Sequence, residues 1–416
     1  MKRWLSVLLV AFLVSVGTAQ GQEEIELEMW TLALSPTFDD YINGVISEFE
    51  EEVSNDERTV TVNWVDLPDG GFPDKFFASI AAGEAPDVVN LNTARMRTAV
   101  REDALVNLSE AATEEQLSIY FPSLLESSSV EGDVYAFPWY QAPTVLMYNK
   151  SLFEEAGLDP EAAPGSYAEV FDAALAVREG LLLDGINLLP FPEDWLVQNG
   201  VFILSEDDTA AAFNTPEGVA ALQTYVDAVE SRAISRETIS NTTDEAGYQK
   251  AIGDFAGGQV AMLVSGPQFL RTVESDGPDV YENLGLAPYP QTETGIIPNA
   301  IQNMVVPAAS DNVELAVELA NWMTNDENQL EFAKLVSIFP STIEAAQDPF
   351  FCSDQESLEG RARCIQANSV ERSFDNQVRT DIRDAIRRSF AEAMLGQKDA
   401  ETALSEAETA VNTILE

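Results

Sequence analysis

Between Ile25 and Leu91 the spacing of apolar residues changes period several times. Ile25–Thr31 alternates, with Ile25, Leu27 and Met29 on one side and acids between them, which predicts a strand ending at Trp30. Asp39–Val53 carries Tyr41, Val45, Ile46 and Phe49 at helical spacing, so an amphipathic helix follows. Thr59–Val65 reads as a second, β-branched strand, Phe72–Ala82 as a helix and Asp87–Leu91 as a third strand. Strand and helix alternating in this way predict an α/β layer with a mostly parallel sheet. Such sheets bind ligands at the carboxyl ends of their strands. On that rule Thr31–Pro36, Asp66–Gly71 and Asn92–Arg95 line one wall of a cleft.

The first residues follow another pattern. Lys2 and Arg3 precede an apolar run from Leu5 to Val16, then small and polar residues from Gly17 to Gln22. This is the form of a cleaved secretory leader over residues 1–22, with Ala19 or Gly21 as the last residue before the cut. The run is too short for a permanent membrane span, and no later segment is long and apolar enough to supply one. No cysteine stands near the cut, so a lipid anchor is not expected. The expected product is periplasmic or secreted. There the two cysteines, Cys352 and Cys364, are expected to close a structural disulfide.

Composition then narrows the function. A 416-residue chain that is 45% apolar and 9% aromatic holds enough core for two domains. The 22 basic and 71 acidic residues give a net charge of −49, or −51 once Lys2 and Arg3 leave with the leader. That field repels nucleic acid and anionic membrane. The acids are spread along the whole chain, and only six of the 22 basic residues are lysine, as a saline habitat favours and as an ordinary acidic exported protein also allows. There is no histidine, which removes Ser-His-Asp and Cys-His nucleophilic sites and His-ligated metal sites. Phosphate-loop and dinucleotide-binding glycine motifs are missing as well. No catalytic residue, metal or cofactor is expected.

Longer motifs bring in a resemblance. Ala85-Pro86-Asp87-Val88-Val89 resembles the A-P-D-[VI]-[VI] strand of the family 1 extracellular solute-binding proteins, whose best-known members bind maltose and other oligosaccharides. The stretch Gly132–Trp139, then Tyr148-Asn149-Lys150, Leu152-Phe153 and Ala156-Gly157-Leu158, is similar to that family's crossover segment. Phe255, Gly258, Val260-Ala261-Met262 and Gly266-Pro267 match a later stretch in the family's order, and Ala316–Gln329 and Gly396–Leu415 fit its last helices. The resemblance runs from about residue 25 to 415. It implies a two-lobed periplasmic-binding-protein-like fold (type II) with a three-crossing hinge near 136–141, 300–306 and 337–342. One lobe would comprise 23–137 plus 303–338, the other 140–300 plus 341–416. It also implies a monomer that hands a sugar, an oligosaccharide or related carbohydrate, to ABC transporter permease subunits and performs no reaction on it.

Sugars offer apolar C–H faces and a rim of hydroxyls, so aromatic platforms flanked by amides and carboxylates suit them. Trp30, Trp139, Tyr140 and Trp195 are the platform candidates; core packing is the alternative for each, and the stronger one for Trp30 and Tyr140. Trp64 and Trp322 read as core. The polar candidates are Ser35, Asp66, Asn92, Arg95, Gln141, Asp194 and Gln268. Two departures from the family pattern stand out. Gln268, with Phe269 next, replaces the usual aromatic after Gly-Pro, and Asn299, Gln302 and Asn303 stand where a Gly-Gly pair is common. Those amides can both donate to and accept from hydroxyls. Arg379, Arg383, Arg387 and Arg388 form a basic stripe, read as a surface helix face paired with surrounding acids, or else as a permease-docking patch. Two other functions stay open: a binder of a cationic solute such as a polyamine, whose cleft would hold clustered carboxylates, and a glycoside hydrolase working with two facing carboxyl groups.

Overall fold

A computed structural model describes residues 22–68, 72–205, 209–243, 245–374 and 378–415. All of the leader but Gln22, and Asp69–Gly71 of the expected cleft wall, lie outside the described residues. The chain opens with β1 (Glu23–Leu32), α1 (Asp39–Val53), β2 (Arg58–Leu67), α2 (Phe72–Ala82), β3 (Val88–Asn92) and α3 (Thr93–Arg101). β4 (Phe137–Gln141) and β5 (Val145–Asn149) lead to α4 (Tyr167–Leu181), β6 (Asp184–Ile186), α5 (Pro192–Gln198) and α6 (Pro216–Glu230). Then come β7 (Val260–Ser265), β8 (Leu284–Pro288), β9 (Ile301–Val305), α7 (Val313–Met323), α8 (Asp326–Leu335) and β10 (Phe339–Pro340). Four helices close the series: α9 (Phe350–Ser353), α10 (Leu358–Ala367), α11 (Thr380–Met394) and α12 (Ala400–Leu415).

The strands form two main sheets, one ordered β10-β4-β9-β3-β1-β2 and the other β8-β5-β7-β6. β2-β1-β3 pair in parallel, as the alternating strand and helix pattern predicts, and so do β6 and β7. In the first sheet β9 pairs antiparallel with β3 and β4, and β10 with β4; in the second, β5 pairs antiparallel with β8 and β7. The parallel character is therefore confined to the strands joined by helical crossovers. Strands arriving from the other sheet enter from the opposite end.

Each sheet is covered by helices on apolar faces. α1 buries Ile42, Val45, Ile46 and Phe49, one helical face, against Leu27 and Met29 of β1. Trp139 of β4, Phe332 of α8 and Phe339 of β10 belong to the same core. In the second half, α4, α5, α6, α11 and α12 share one core through Val177, Trp195, Tyr225, Phe390 and Leu404. Gly185 of β6 lets α4 approach closely: a Cβ there would stand 2.2 Å from the Cα of Ala174.

The chain passes between the sheets at 142–144, again between β8 and β9, and a third time after β10. Phe351 of α9 still packs on Phe339, their rings 4.7 Å apart, whereas Ala362 of α10 lies in the core of the second sheet. The disulfide Cys352–Cys364 joins those two helices and so ties one side to the other.

Side-chain amides fasten these passages. Asn299 Nδ2 donates to Gln141 Oε1 (2.8 Å), and its Oδ1 accepts from the Ala142 amide (3.0 Å). Gln141 Nε2 donates to the Pro340 carbonyl (3.0 Å), and Gln366 of α10 donates to the Pro143 carbonyl (3.3 Å). Buried backbone groups at irregular crossings need partners, and these amides supply them.

Candidate functional site

Where the two sheets meet, a cavity of about 390 Å³ opens. The first sheet contributes Asn92, Thr93 and Ala94, at the turn from β3 into α3. Asn92 accepts from the Arg95 amide (2.9 Å), which caps the helix and sets this turn. The passages contribute Ala142, Thr144 and Pro298–Gln302. The second sheet supplies the largest wall: Leu188–Phe191, Glu193, Asp194, Tyr248, Gln268, Phe269 and Tyr289, with Arg383 and Arg387 reaching in from α11.

Three of its aromatic rings form a row. Tyr248 lies 6.1 Å from Phe191 and 5.8 Å from Phe269 between ring centres. Its hydroxyl is fixed by Ser265 Oγ at 2.6 Å, and burial raises its pKa, so the phenol stays protonated. Tyr289 shares hydrogen bonds with the Gln198 amide (2.8 and 3.0 Å), and burial pushes its pKa well above the usual tyrosine value. Beside this row Arg387 donates to both oxygens of Glu193, at 3.1, 3.1 and 2.5 Å. Among the described residues no group of carboxylates and cysteines is placed to hold a metal ion.

Five of the residues nominated from sequence line the cavity: Asn92, Asp194, Gln268, Asn299 and Gln302. The proposed tryptophan platforms do not. Trp139, at an irregular point in the pairing of β4, is fully buried in the same core as Phe137 and stacked on Phe332 at 5.2 Å. Trp195 turns the opposite way from Asp194 on α5; it stacks on Tyr225 at 4.9 Å and donates to the Ala221 carbonyl. Trp30 is buried beside Phe72 and Lys75, with its N–H on Glu28, and Tyr140 packs edge-on against Phe332.

The polar candidates at the ends of β1 and β2 are spent locally. Asp66 accepts from Thr31 Oγ1 (2.7 Å) and from the amides of Leu34 and Ser35. In the strand order, β3 stands between β1–β2 and the crossing strands, so only the end of β3 meets the second sheet. The Arg95 guanidinium lies over Phe72, and Gln141 is enclosed at the crossings. Asn303 is fully buried, bonded to Ser128 and Thr93.

The basic stripe needs a correction. Arg388 is exposed and Arg379 pairs with Asp381, but Arg387 is buried and lines the cavity together with Arg383. The four-residue spacing that placed these two on one face was visible in the sequence. Glu193, their counterpart some 190 positions away, was not linked to them by any pattern. The rings of Phe191, Tyr248 and Tyr289 had no local mark either.

Residues 35–330, more than half of the chain, match the model of the bacterial extracellular solute-binding protein family. The chain belongs to that family. It is 24% identical to the sn-glycerol-3-phosphate-binding periplasmic protein UgpB of Rhizobium meliloti, over 95% of this chain and 96% of that one. To the galactooligosaccharide-binding protein of Bacillus subtilis it is 25% identical, over 74% and 71% of the two chains. Among solved structures, a periplasmic-binding protein from Synechococcus sp. MITs9220 superposes with a TM-score of 0.81 at 29% identity, covering 94% of this chain and 98% of that one. The cyclic alpha-maltosyl-1,6-maltose binding protein from Arthrobacter globiformis superposes with a TM-score of 0.80 at 22% identity, over 94% and 99%. The fold is the two-lobed type II periplasmic-binding-protein fold.

Proposed function

We propose that this family member is the exported solute-binding component of an ABC importer, that it traps a neutral carbohydrate in the cavity between the sheets, and that it releases the solute unchanged to the permease. The observation that carries the reading is the row Phe191, Tyr248 and Phe269 facing amides and backbone at the crossings. Stacked rings take the C–H faces of a pyranose, and hydroxyls find both donors and acceptors on the opposite wall. A volume of about 390 Å³ lies near the small end of ligand sites, roughly 300–1,000 Å³. It suits a mono- or disaccharide better than a long oligosaccharide.

The lobes in this proposal are the two sheets with their helices. They close about 142–144, the passage before β9, and a third passage at the disulfide-linked helices, later than the 337–342 read from the sequence. A ligand drives closure only by binding the closed form better than the open one, which contacts from both walls provide.

Arg383 and Arg387 favour a second reading, a sugar or polyol phosphate, and the Rhizobium relative's name points the same way. Glu193 answers Arg387 directly and Asp194 stands on the same wall, so the four charges sum to zero and a neutral ligand is favoured. The same compensation weighs against a polyamine. A thermal-shift panel of neutral mono- and disaccharides, glycerol 3-phosphate and putrescine separates the three. A binder at 100 times its Kd stabilises by about 2.7 kcal/mol, and the neutral sugars are expected to give the shift. A shift from glycerol 3-phosphate or putrescine alone overturns the carbohydrate reading. Chromatography of the recovered sugar is expected to show it intact.

A further inference from the structure

The Glu193–Arg387 pair is an expensive thing to bury, since both ions lose water and only close, well-satisfied geometry compensates. Their side chains are 2% and 7% exposed. Glu193 takes the edge of the guanidinium through three hydrogen bonds. The same guanidinium lies over the ring of Phe191, its central carbon 4.0 Å from the ring centre. Phe191 immediately precedes α5, and its carbonyl accepts from the Trp195 amide (2.8 Å), which fixes the backbone but not the ring. Among the described residues that ring joins none of the apolar cores; Tyr248 and Arg387 are two of its neighbours.

We infer that Arg387, held by Glu193, is a positioning residue: it fixes the Phe191 ring as the end platform of the aromatic row. The inference rests on the carbohydrate reading for its functional consequence, but the positioning itself is independent of any ligand. Glu193 and Phe191 leave the same turn at the start of α5, whereas Arg387 comes from α11. The pair thus lets the C-terminal part of the chain set one wall of the cavity. Arginine suits this role because its planar fork binds a carboxylate along one edge while leaving a face for stacking; lysine offers neither.

The test places 4-fluorophenylalanine at position 191 in the mature protein and follows its fluorine resonance without ligand. Three forms are compared: the otherwise unmodified chain, Arg387→Lys, and Glu193→Gln with Arg387→Met. The double variant removes both charges, so no lone ion is left buried. Arg387→Lys keeps Glu193 paired and serves should the double variant not fold. The unmodified chain is expected to give one resonance displaced from the value in denaturant. Both variants, with circular dichroism unchanged, are expected to move that resonance toward the denatured value. An unmoved resonance in a folded variant overturns the inference.

A second arm titrates glucose, maltose, trehalose and sucrose calorimetrically. Affinity is expected to fall about tenfold in the variants, and to fall no further when Phe191→Leu is added. If changing the pair costs as much in a chain that already carries Phe191→Leu as it does in the parent, the pair acts elsewhere, and the inference is sunk. If the unmodified protein binds none of these sugars, the carbohydrate reading is what fails, and the fluorine arm still decides the positioning.

Discussion

Trp195→Ala separates a core residue from a binding residue. The sequence made Trp195 a stacking platform, so its loss would weaken binding and spare the fold. The structure places it 3% exposed, stacked on Tyr225 at 4.9 Å, edge-on to Tyr167 at 5.1 Å, with its N–H on the Ala221 carbonyl at 2.8 Å. Truncating a buried tryptophan costs about 3–5 kcal/mol through lost transfer energy and the cavity left behind. The Ala221 carbonyl, in the middle of α6, would also lose the donor it has besides its own helical bond. Against a total stability of roughly 5–15 kcal/mol this is a large fraction, equivalent to a drop in Tm of roughly 6–20 °C for a lobe of this size. Urea and thermal unfolding of the mature, disulfide-intact protein, followed by circular dichroism, measure it. Calorimetry at a temperature where the variant stays folded should find affinity within about threefold of the parent. A variant that unfolds like the parent yet loses binding would refute the packing argument and return Trp195 to the site.

Other outcomes follow from the same structure. Cys352→Ser with Cys364→Ser should lower stability by at most about 3 kcal/mol, the closure entropy of so short a loop, and alkylation of the unreduced mature protein should label no thiol. Stability should hold up to about pH 10 and fall above it. Burial raises the pKa of Tyr225 and Tyr289 above the ordinary 10.0, so their stabilisation is present below the unfolded value and is lost as the unfolded chain ionises; urea midpoints at rising pH test this, and a flat profile contradicts it. With a net charge of −49, Tm should rise from low to molar sodium chloride as repulsion is screened; a flat or falling curve would remove self-repulsion as a cost of this composition.

The regular part of the fold was legible because local period sets it. α1 and α2 fall where the apolar spacing places them, and the first three strands match to within about two residues. The site was legible mainly where a strand end or crossing forced it, as at Asn92, Asn299 and Gln302, with Asp194 on α5 the exception. Aromatic residues were misjudged for one reason: facing direction. Trp195 sits one helical position from Asp194, which lines the cavity, and that step of about 100° turns it into the core, whereas Trp139 and Tyr140 both pack on Phe332 at an irregular point of β4. Arg387 was misread because its burial depends on Glu193, and ion pairs between distant segments leave no periodic trace. The amides at 299–303 illustrate the same limit. Their chemistry suited a ligand, yet Asn303 and part of Asn299 are used to satisfy crossing backbone and buried hydroxyls.

Calorimetric titration of the mature protein and its Phe269→Ala variant with neutral mono- and disaccharides tests the central claim most directly. Phe269 lines the cavity, is only half-buried, and packs edge-on to Tyr248. Its loss should cost little stability but remove one stacking face, on the order of 1–3 kcal/mol, which is about a ten- to hundredfold weaker Kd. Binding of one such sugar by the parent, weakened by that factor in a variant that melts with it, is the predicted result. Undiminished binding by Phe269→Ala would contradict the account, because the solute would then be held somewhere other than this cavity.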